Sequence, residues 1–149
     1  MRRAACVLAL SLVATGALAE GRGYPIRNEK WISECSACHV AYPPQLLPAS
    51  SWRVVMAGLD RHFGVNASLD AATARELQVF AEANSATGKR ATGETTLRIT
   101  DTRWFKRKHD ELPAGVWKRP AIKSAANCAA CHADAERGVY NERDVRVPR

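Results

Sequence analysis

The chain has 149 residues, of which 46% are hydrophobic and 25% are charged, and its formal net charge is +7. This is an ordinary globular composition, which excludes the disordered, fibrous and disulfide-dense classes of protein. The length allows one domain or two small lobes, and a lobe of about 60 residues buries too little surface to be stable without a metal, a cofactor or crosslinks.

Residues 1–19 predict a secretory signal peptide. Arg2 and Arg3 give it a charged start, an apolar stretch begins at Cys6, and an Ala-Leu-Ala tripeptide marks a cleavage site after Ala19. The apolar stretch is too short to cross a bilayer, and no later stretch is long enough. We therefore expect an exported protein that does not span the membrane. A buried N-terminal helix is the alternative interpretation of this segment.

The next predicted element is a short helix starting at Lys30, which leads into a Cys-x-x-Cys-His segment at Cys35–His39. The same pattern recurs at Cys128–His132. Two thiols separated by two residues can reach the two vinyl groups on one edge of a porphyrin, and the following imidazole can bind its iron. The pattern therefore predicts two covalently bound haem c groups, attached through Cys35, Cys38 and His39 and through Cys128, Cys131 and His132.

Paired cysteines have three other common uses, namely a Cys₄ zinc site, redox-active dithiols and structural disulfides. The separation between Cys35 and Cys128 is far outside the spacing of compact zinc ribbons. No βαβ pattern surrounds either motif, and none of the three uses needs a histidine directly after both pairs. The duplicated histidine and the predicted export both favour haem attachment.

A stiff, proline-rich loop over residues 42–48 follows the first motif, and a helix capped by Ser50 or Ser51 then begins at Trp52. His62 lies at the edge of the apolar face of this helix, and Gly64 is expected to end it. The apolar face is predicted to consist of Trp52, Val55, Met56, Leu59 and Phe63. A histidine in this place could point from an apolar wall toward a buried ring.

Asp70 predicts the cap of a further helix, in which Leu77 and Ala81 recur at helical spacing. These elements together make a first lobe over residues 20–86. Residues 87–96 are poor in apolar side chains and predict a flexible or surface connector.

Residues 97–149 predict a second lobe with the reverse order, because its spare histidine precedes its attachment motif. A helix over Arg103–Leu112, capped by one of residues 100–102, is expected to carry His109 on its apolar face. Residues 119–131 predict a mostly helical stretch that carries the second motif.

The chain has four histidines. His39 and His132 follow the cysteine pairs, and the two spare histidines match the open sixth positions of two irons. We expect bis-histidine ligation at both irons, with His62 opposite His39 and His109 opposite His132, while crossed pairing stays open. Met56 is the alternative ligand for one iron, and a five-coordinate iron with an open face is the other alternative.

These elements predict an all-α protein of two small haem-wrapped lobes. The chain resembles the bacterial dihaem cytochrome c family, of the small periplasmic bis-histidine type, in the segments Trp31–His39, Leu59–Gly64, Arg98–Asp101, Lys108–Glu111 and Ala126–His132. The resemblance implies a class-I cytochrome c-like N-terminal lobe, a less regular C-terminal lobe and a periplasmic location. It also implies electron shuttling, with an oxygen-binding monohaem cytochrome c and a membrane b-type cytochrome as partners.

The predicted function is that of an electron-transfer protein rather than an enzyme. Iron held by two fixed imidazoles keeps its ligands in both redox states and offers no vacant position to a substrate. Two imidazoles also predict lower potentials than a histidine–methionine pair would give. The alternative is a haem enzyme or a gas-binding protein, if one distal histidine is labile, and carbon monoxide binding would distinguish the two.

Five basic residues near the second motif predict a docking face for an acidic redox partner: Lys106, Arg107, Lys108, Lys118 and Arg119. The alternatives are a solvated helix face and arginines that pair with haem propionates. So small a basic patch on an exported haem protein does not predict nucleic-acid binding.

Overall fold

The computed structural model describes residues 23–91 and 95–149, so the predicted signal peptide at residues 1–19 lies outside the described residues. Within the described residues the chain forms helices and no β-strand, which confirms the predicted all-α fold. The α-helices are α1 (Glu29–Cys35), α2 (Ala49–Ala57), α3 (Ala71–Ala83) and α4 (Arg103–Lys108). Short 3₁₀ segments lie at Pro44–Leu46, Leu59–Arg61, Gly88–Arg90, Ile99–Asp101, Ala114–Lys118, Cys128–Ala130, Ala135–Arg137 and Glu142–Asp144.

Side-chain caps set the start of two N-terminal helices. The Asn28 side chain accepts the Trp31 amide and begins α1, which runs directly into the first motif. The Asp70 carboxylate accepts the amides of Ala72 and Thr73 and begins α3, as the sequence predicted. Both caps satisfy backbone N–H groups that the first turn of a helix leaves without partners.

The hydrophobic core lies where α1, α2 and α3 meet. Trp31 is only 2% exposed, and its ring lies edge-on to that of Trp52 with centroids 5.3 Å apart. Leu77 and Ala81 of α3 are fully buried in the same cluster. Truncating a buried aromatic side chain of this kind costs about 3–5 kcal/mol of stability. This core holds the start of the first motif in place, because α1 ends at Cys35.

The second helix is shorter than the sequence predicted, and it begins earlier. It begins at Ala49 because the Pro48 carbonyl accepts the amides of Ser51 and Trp52, so neither serine acts as the cap. It ends at Ala57, and a separate 3₁₀ turn follows. The predicted continuation through residues 58–63 is therefore wrong.

The backbone around the spare histidine of this region leaves the helical conformation altogether. Phe63 has a φ of +49° and Gly64 a φ of +100°, values that continue no right-handed helix. Phe63 is 45% exposed rather than part of the predicted apolar face. His62 consequently lies in a tight turn after the 3₁₀ segment, not on a helix.

The C-terminal part has little regular structure. Thr102 caps α4 by accepting the Phe105 amide, but the helix ends at Lys108 instead of the predicted Leu112, and His109 follows it with a φ of −129°. The predicted helix over residues 119–131 is wrong, since only the 3₁₀ segment Cys128–Ala130 forms there.

Two backbone features explain why residues 119–127 form turns instead of a helix. Pro120 lacks the N–H that a continuing helix would use, and the preceding Arg119 is extended, with a φ of −60° and a ψ of 141°. Lys123 has a φ of +67°, in the left-handed region. The second motif is therefore held by turns and side-chain contacts.

The N-terminal lead packs against the C-terminal tail. The Tyr24 amide donates to the Gly138 carbonyl at 2.7 Å. A Cβ at position 138 would lie 2.2 Å from the Tyr24 oxygen, and the φ of Gly138 is +71°, so this contact requires a glycine. Arg90, from the predicted connector, lies over the rings of Tyr24 and Trp104. The lobe boundaries at residues 20–86, 87–96 and 97–149 stay predictions.

Across the described residues, no helix has both the length and the apolar character needed to cross a bilayer.

Candidate functional site

The four histidines lie in two close pairs. The ring centroids of His39 and His62 are 6.1 Å apart, with an angle of 29° between the planes. Those of His109 and His132 are 6.2 Å apart, with an angle of 81°. Each spare histidine thus faces the motif histidine of its own region, which is the pairing expected from their order in the chain.

Backbone and aromatic contacts orient the first pair. The Nδ1 atom of His39 lies 2.8 Å from the Val40 carbonyl oxygen, and the Tyr42 ring stacks on the imidazole with centroids 4.6 Å apart. The His62 carbonyl accepts the Val65 amide, which closes the turn that carries this histidine. Burial lowers the pKa of His62, and the nearby His39 and Arg98 lower it further, so its imidazole favours the neutral, metal-binding form.

The second pair is oriented mainly by aromatic rings. The Nδ1 atom of His109 lies 2.9 Å from the Phe105 carbonyl oxygen, and the Phe105 ring stacks on the imidazole at 4.0 Å. The Tyr140 ring lies edge-on to His132, with centroids 5.3 Å apart. Burial, followed by the charge of His109, lowers the pKa of His132. The Nδ1 atom of His132 is buried and has no hydrogen-bond partner among the described residues.

The four cysteines of the described segments are free thiols. Burial and then the neighbouring Glu34 raise the pKa of Cys35 to about 11, and burial raises that of Cys128 to about 11. Redox-active dithiols need the opposite, a thiol with a lowered pKa in a positively charged environment. The arrangement therefore does not favour the dithiol alternative.

The spacing of the histidine pairs fits a haem iron between them. An imidazole nitrogen lies about 2.0 Å from the metal that it binds, and the ring centre lies about 1.1 Å beyond it, so two opposed ligands have centroids about 6.2 Å apart. The observed distances of 6.1 and 6.2 Å agree with this value. Because Nδ1 of His39 and of His109 lies within hydrogen-bond distance of a backbone carbonyl, Nε2 is the nitrogen that would be available to an iron.

An open cleft of about 330 Å³ joins the two motifs. Its lining residues are Cys38, His39, Val40, Tyr42, Ala126, Asn127 and Cys128. The Tyr42 hydroxyl crosses the cleft and donates to the Ala126 carbonyl at 2.6 Å. Residues of both predicted haem sites therefore line one continuous space.

Sequence reasoning missed the functional contacts of Tyr42 and Tyr140. Tyr42 belongs to the predicted stiff loop over residues 42–48, and Tyr140 only to the predicted second lobe over residues 97–149. A usable signal was present, because an aromatic side chain follows both Cys-x-x-Cys-His segments in the sequence. Each of these rings contacts the histidine of the motif that it follows.

Met56, the predicted alternative ligand, lies in the hydrophobic core with Trp31 and Trp52. It is 9% exposed and belongs to α2, which supports a packing role rather than a place at either histidine pair.

The basic zone near the second pair is smaller than the sequence predicted. Lys108 pairs with Glu142 at 2.6 Å. Arg119 donates to the Pro148 carbonyl at 2.7 Å. The exposed basic side chains that continue this zone are Lys106, Arg107 and Lys118.

Residues 31–140 match the sequence profile of a family described as dihaem cytochrome c. Among solved structures, a diheme cytochrome c from Rhodobacter sphaeroides is 42% identical, with a TM-score of 0.71, and the match covers 78% of this chain and 98% of that one. DHC purified from Rhodobacter sphaeroides is 44% identical, with a TM-score of 0.69 and coverage of 78% and 99%. A diheme cytochrome type c from Shewanella baltica OS155 is 37% identical, with a TM-score of 0.72 and coverage of 81% and 93%. No curated protein sequence gives a significant match.

Proposed function

The chain belongs to the dihaem cytochrome c family, whose members are electron-transfer haem proteins, and we propose that it shuttles electrons between redox proteins through two bis-histidine haem c sites. The first site consists of Cys35, Cys38, His39 and His62, and the second of Cys128, Cys131, His132 and His109. The cysteines form the thioether bonds, and the histidines bind the two irons.

The observation that carries this proposal is the spacing of the two histidine pairs. Their centroid distances of 6.1 and 6.2 Å are those of imidazoles on opposite sides of one metal ion, and they occur at both motifs. Nearly the same separation occurs at both half-buried pairs, and a metal ion between each pair would account for it. The neutral imidazoles favoured at His62 and His132 support the same role.

When bound, haem c supplies a one-electron couple between ferric and ferrous iron. The residues of this chain hold the imidazoles in fixed orientations, through the Val40 and Phe105 carbonyls and through stacked aromatic rings. Fixed ligands need little rearrangement when the charge of the metal changes, which suits electron transfer. Because Met56 lies in the core, both sites lack the ligand that raises the potential of other cytochromes c, and both potentials should be low.

Export and docking complete the proposal. Residues 1–19 would direct the chain to the periplasm, where c-type cytochromes meet their partners. The exposed Lys106 and Arg107 shortly precede His109, and the exposed Lys118 follows Trp117, whose ring centroid lies 5.8 Å from that of His109, so an acidic redox protein docked there would approach the second site. The oxygen-binding monohaem cytochrome c and the membrane b-type cytochrome implied by the family resemblance are the partners to test first.

A redox titration of the purified exported protein, followed by optical and electron paramagnetic resonance spectra, tests this function. We expect a mass increase of two haems, two low-potential low-spin centres, and no binding of carbon monoxide to the ferrous form. A colourless protein, or one with fewer than two haems, would contradict the proposal. A prompt carbon monoxide shift would show a labile distal histidine and favour a gas-binding protein or an enzyme.

A further inference from the structure

Tyr42 contacts both attachment motifs at once. Its ring lies parallel to the His39 imidazole, with centroids 4.6 Å apart and planes within 18°. Its hydroxyl donates to the Ala126 carbonyl at 2.6 Å, and the same carbonyl accepts the Cys128 amide at 3.0 Å. The side chain therefore connects a predicted iron ligand of the first site to the attachment loop of the second.

The surroundings of Tyr42 make it a rigid connection. Its own carbonyl accepts the indole N–H of Trp31 at 3.1 Å, and the two prolines that follow it, Pro43 and Pro44, are fully buried. The Pro44 carbonyl in turn accepts the indole N–H of Trp52 at 2.7 Å.

On the other side of the cleft, Ala126 and Asn127 also make hydrogen bonds within their own loop. The Ala126 amide donates to the Ser124 hydroxyl, and the Asn127 side chain donates to the Ile122 carbonyl. These bonds shape the loop but do not fix it relative to the first site. The bond from Tyr42 supplies that restraint.

We propose that Tyr42 is a positioning residue that holds the two haem sites at a fixed separation and couples them for electron exchange. This inference rests on the proposed function. When an electron passes between the sites, the iron that gives it changes from ferrous to ferric and the iron that receives it changes from ferric to ferrous, with no other reactant. The stacking contact of Tyr42 with His39 and its hydrogen bond to Ala126, whose carbonyl also accepts the Cys128 amide, provide a path of direct contacts for this exchange.

The test compares three variants of the haem-loaded protein. Tyr42→Phe keeps the ring and removes the hydroxyl, whereas Tyr42→Leu removes the stacking ring as well. Tyr140→Phe is the matched control, because that tyrosine also lies against a motif histidine but its hydroxyl faces Ala135 in its own region, at 3.4 Å.

We expect hydrogen exchange at the Cys128 amide to be about five- to tenfold faster in Tyr42→Phe, the effect of one lost hydrogen bond, and unchanged in Tyr140→Phe. The rate of electron exchange between the haems should fall in Tyr42→Phe. The electron paramagnetic resonance signal of the first haem should change only in Tyr42→Leu, because only that variant removes the ring that stacks on His39.

Haem content by mass separates this inference from the proposed function. An unaltered protein with fewer than two haems overturns both, whereas two haems with unchanged Cys128 exchange in Tyr42→Phe overturns the positioning role alone. An equal effect of Tyr140→Phe overturns it too. Faster amide exchange with an unchanged electron-exchange rate overturns the coupling. If Tyr42→Leu fails to fold, the comparison of Tyr42→Phe with the unaltered protein still tests the positioning role.

Discussion

The first histidine pair is backed by a helical core, whereas the second is backed by turns and by single aromatic rings. Three α-helices bury Trp31, Trp52 and Leu77 against one another beside the first motif. The C-terminal part has one six-residue α-helix, and its fully or nearly fully buried apolar side chains are Phe105, Val116, Ile122 and Ala135. With so few apolar contacts, the second site should depend on its porphyrin for much of its core.

This difference predicts that loss of a haem has unequal consequences at the two sites, and it is the largest effect that we expect. In Cys128→Ser/Cys131→Ser, residues 97–149 should lose most of their hydrogen-exchange protection while α1–α3 keep theirs. In Cys35→Ser/Cys38→Ser, the helical core should retain much of its structure because its helices still pack on one another. Hydrogen exchange measured segment by segment, with haem content checked by mass, distinguishes the two variants.

Equal loss of protection in both double variants would show that the two regions depend on their haems to the same degree. Loss of both haems from either variant would show that the sites assemble only together.

Ligand exchange should separate the sites in a redox titration. His62→Met and His109→Met each replace one imidazole with the thioether that raises haem potentials. Each variant should raise the potential of one haem and leave the other nearly unchanged, because each histidine faces only one motif histidine. Equal shifts of both potentials, or of neither, would contradict the separate pairing.

The ring angles predict a further, spectroscopic difference between the two ferric sites. Imidazole planes 29° apart, as at His39 and His62, split two iron d orbitals and give a rhombic resonance signal. Planes 81° apart, as at His109 and His132, leave those orbitals close in energy and give a more anisotropic signal with one large g value. Two identical low-spin signals would show that the ligand planes are alike in the loaded protein.

The sequence predicted local features of this molecule well, since a motif or a cap needs only neighbouring residues. Asp70 caps α3 because its carboxylate reaches amides two and three residues later. It predicted helix ends poorly, because the end of α2 at Gly58 and the turn at His62 and Phe63 depend on local backbone angles that apolar periodicity does not reveal. Contacts between distant segments, such as the hydrogen bond from Tyr42 to Ala126, produce no periodic pattern in the sequence from which they could be predicted.

The aromatic cover of the second site shows the same limit of sequence reasoning. The helix predicted over residues 119–131 does not form, because Pro120 and the left-handed Lys123 prevent it. Tyr140 reaches His132 only because the tail folds back, with the Arg146 amide donating to the Cys131 carbonyl at 3.0 Å. Such folding back depends on tertiary contacts.

The smallest effect that we expect is an acid-dependent contribution of the α3 cap, on the side of the molecule with the helical core. Hydrogen bonds from the Thr73 side chain and backbone, and then from the Ala72 amide, hold the pKa of Asp70 below its ordinary value of 3.8. A lowered pKa in the folded state contributes stability that is present above the unfolded pKa and is lost as the pH falls through the folded pKa. Denaturant unfolding should therefore show a slightly larger loss of stability on acidification for the unaltered protein than for Asp70→Asn, which caps without titrating. Thr102→Ala is the control, because it removes the uncharged cap of α4 and should lower the free energy of unfolding by about 1 kcal/mol at every pH. If the destabilisation by Thr102→Ala also changed on acidification, the assignment of the acid effect to Asp70 would be contradicted.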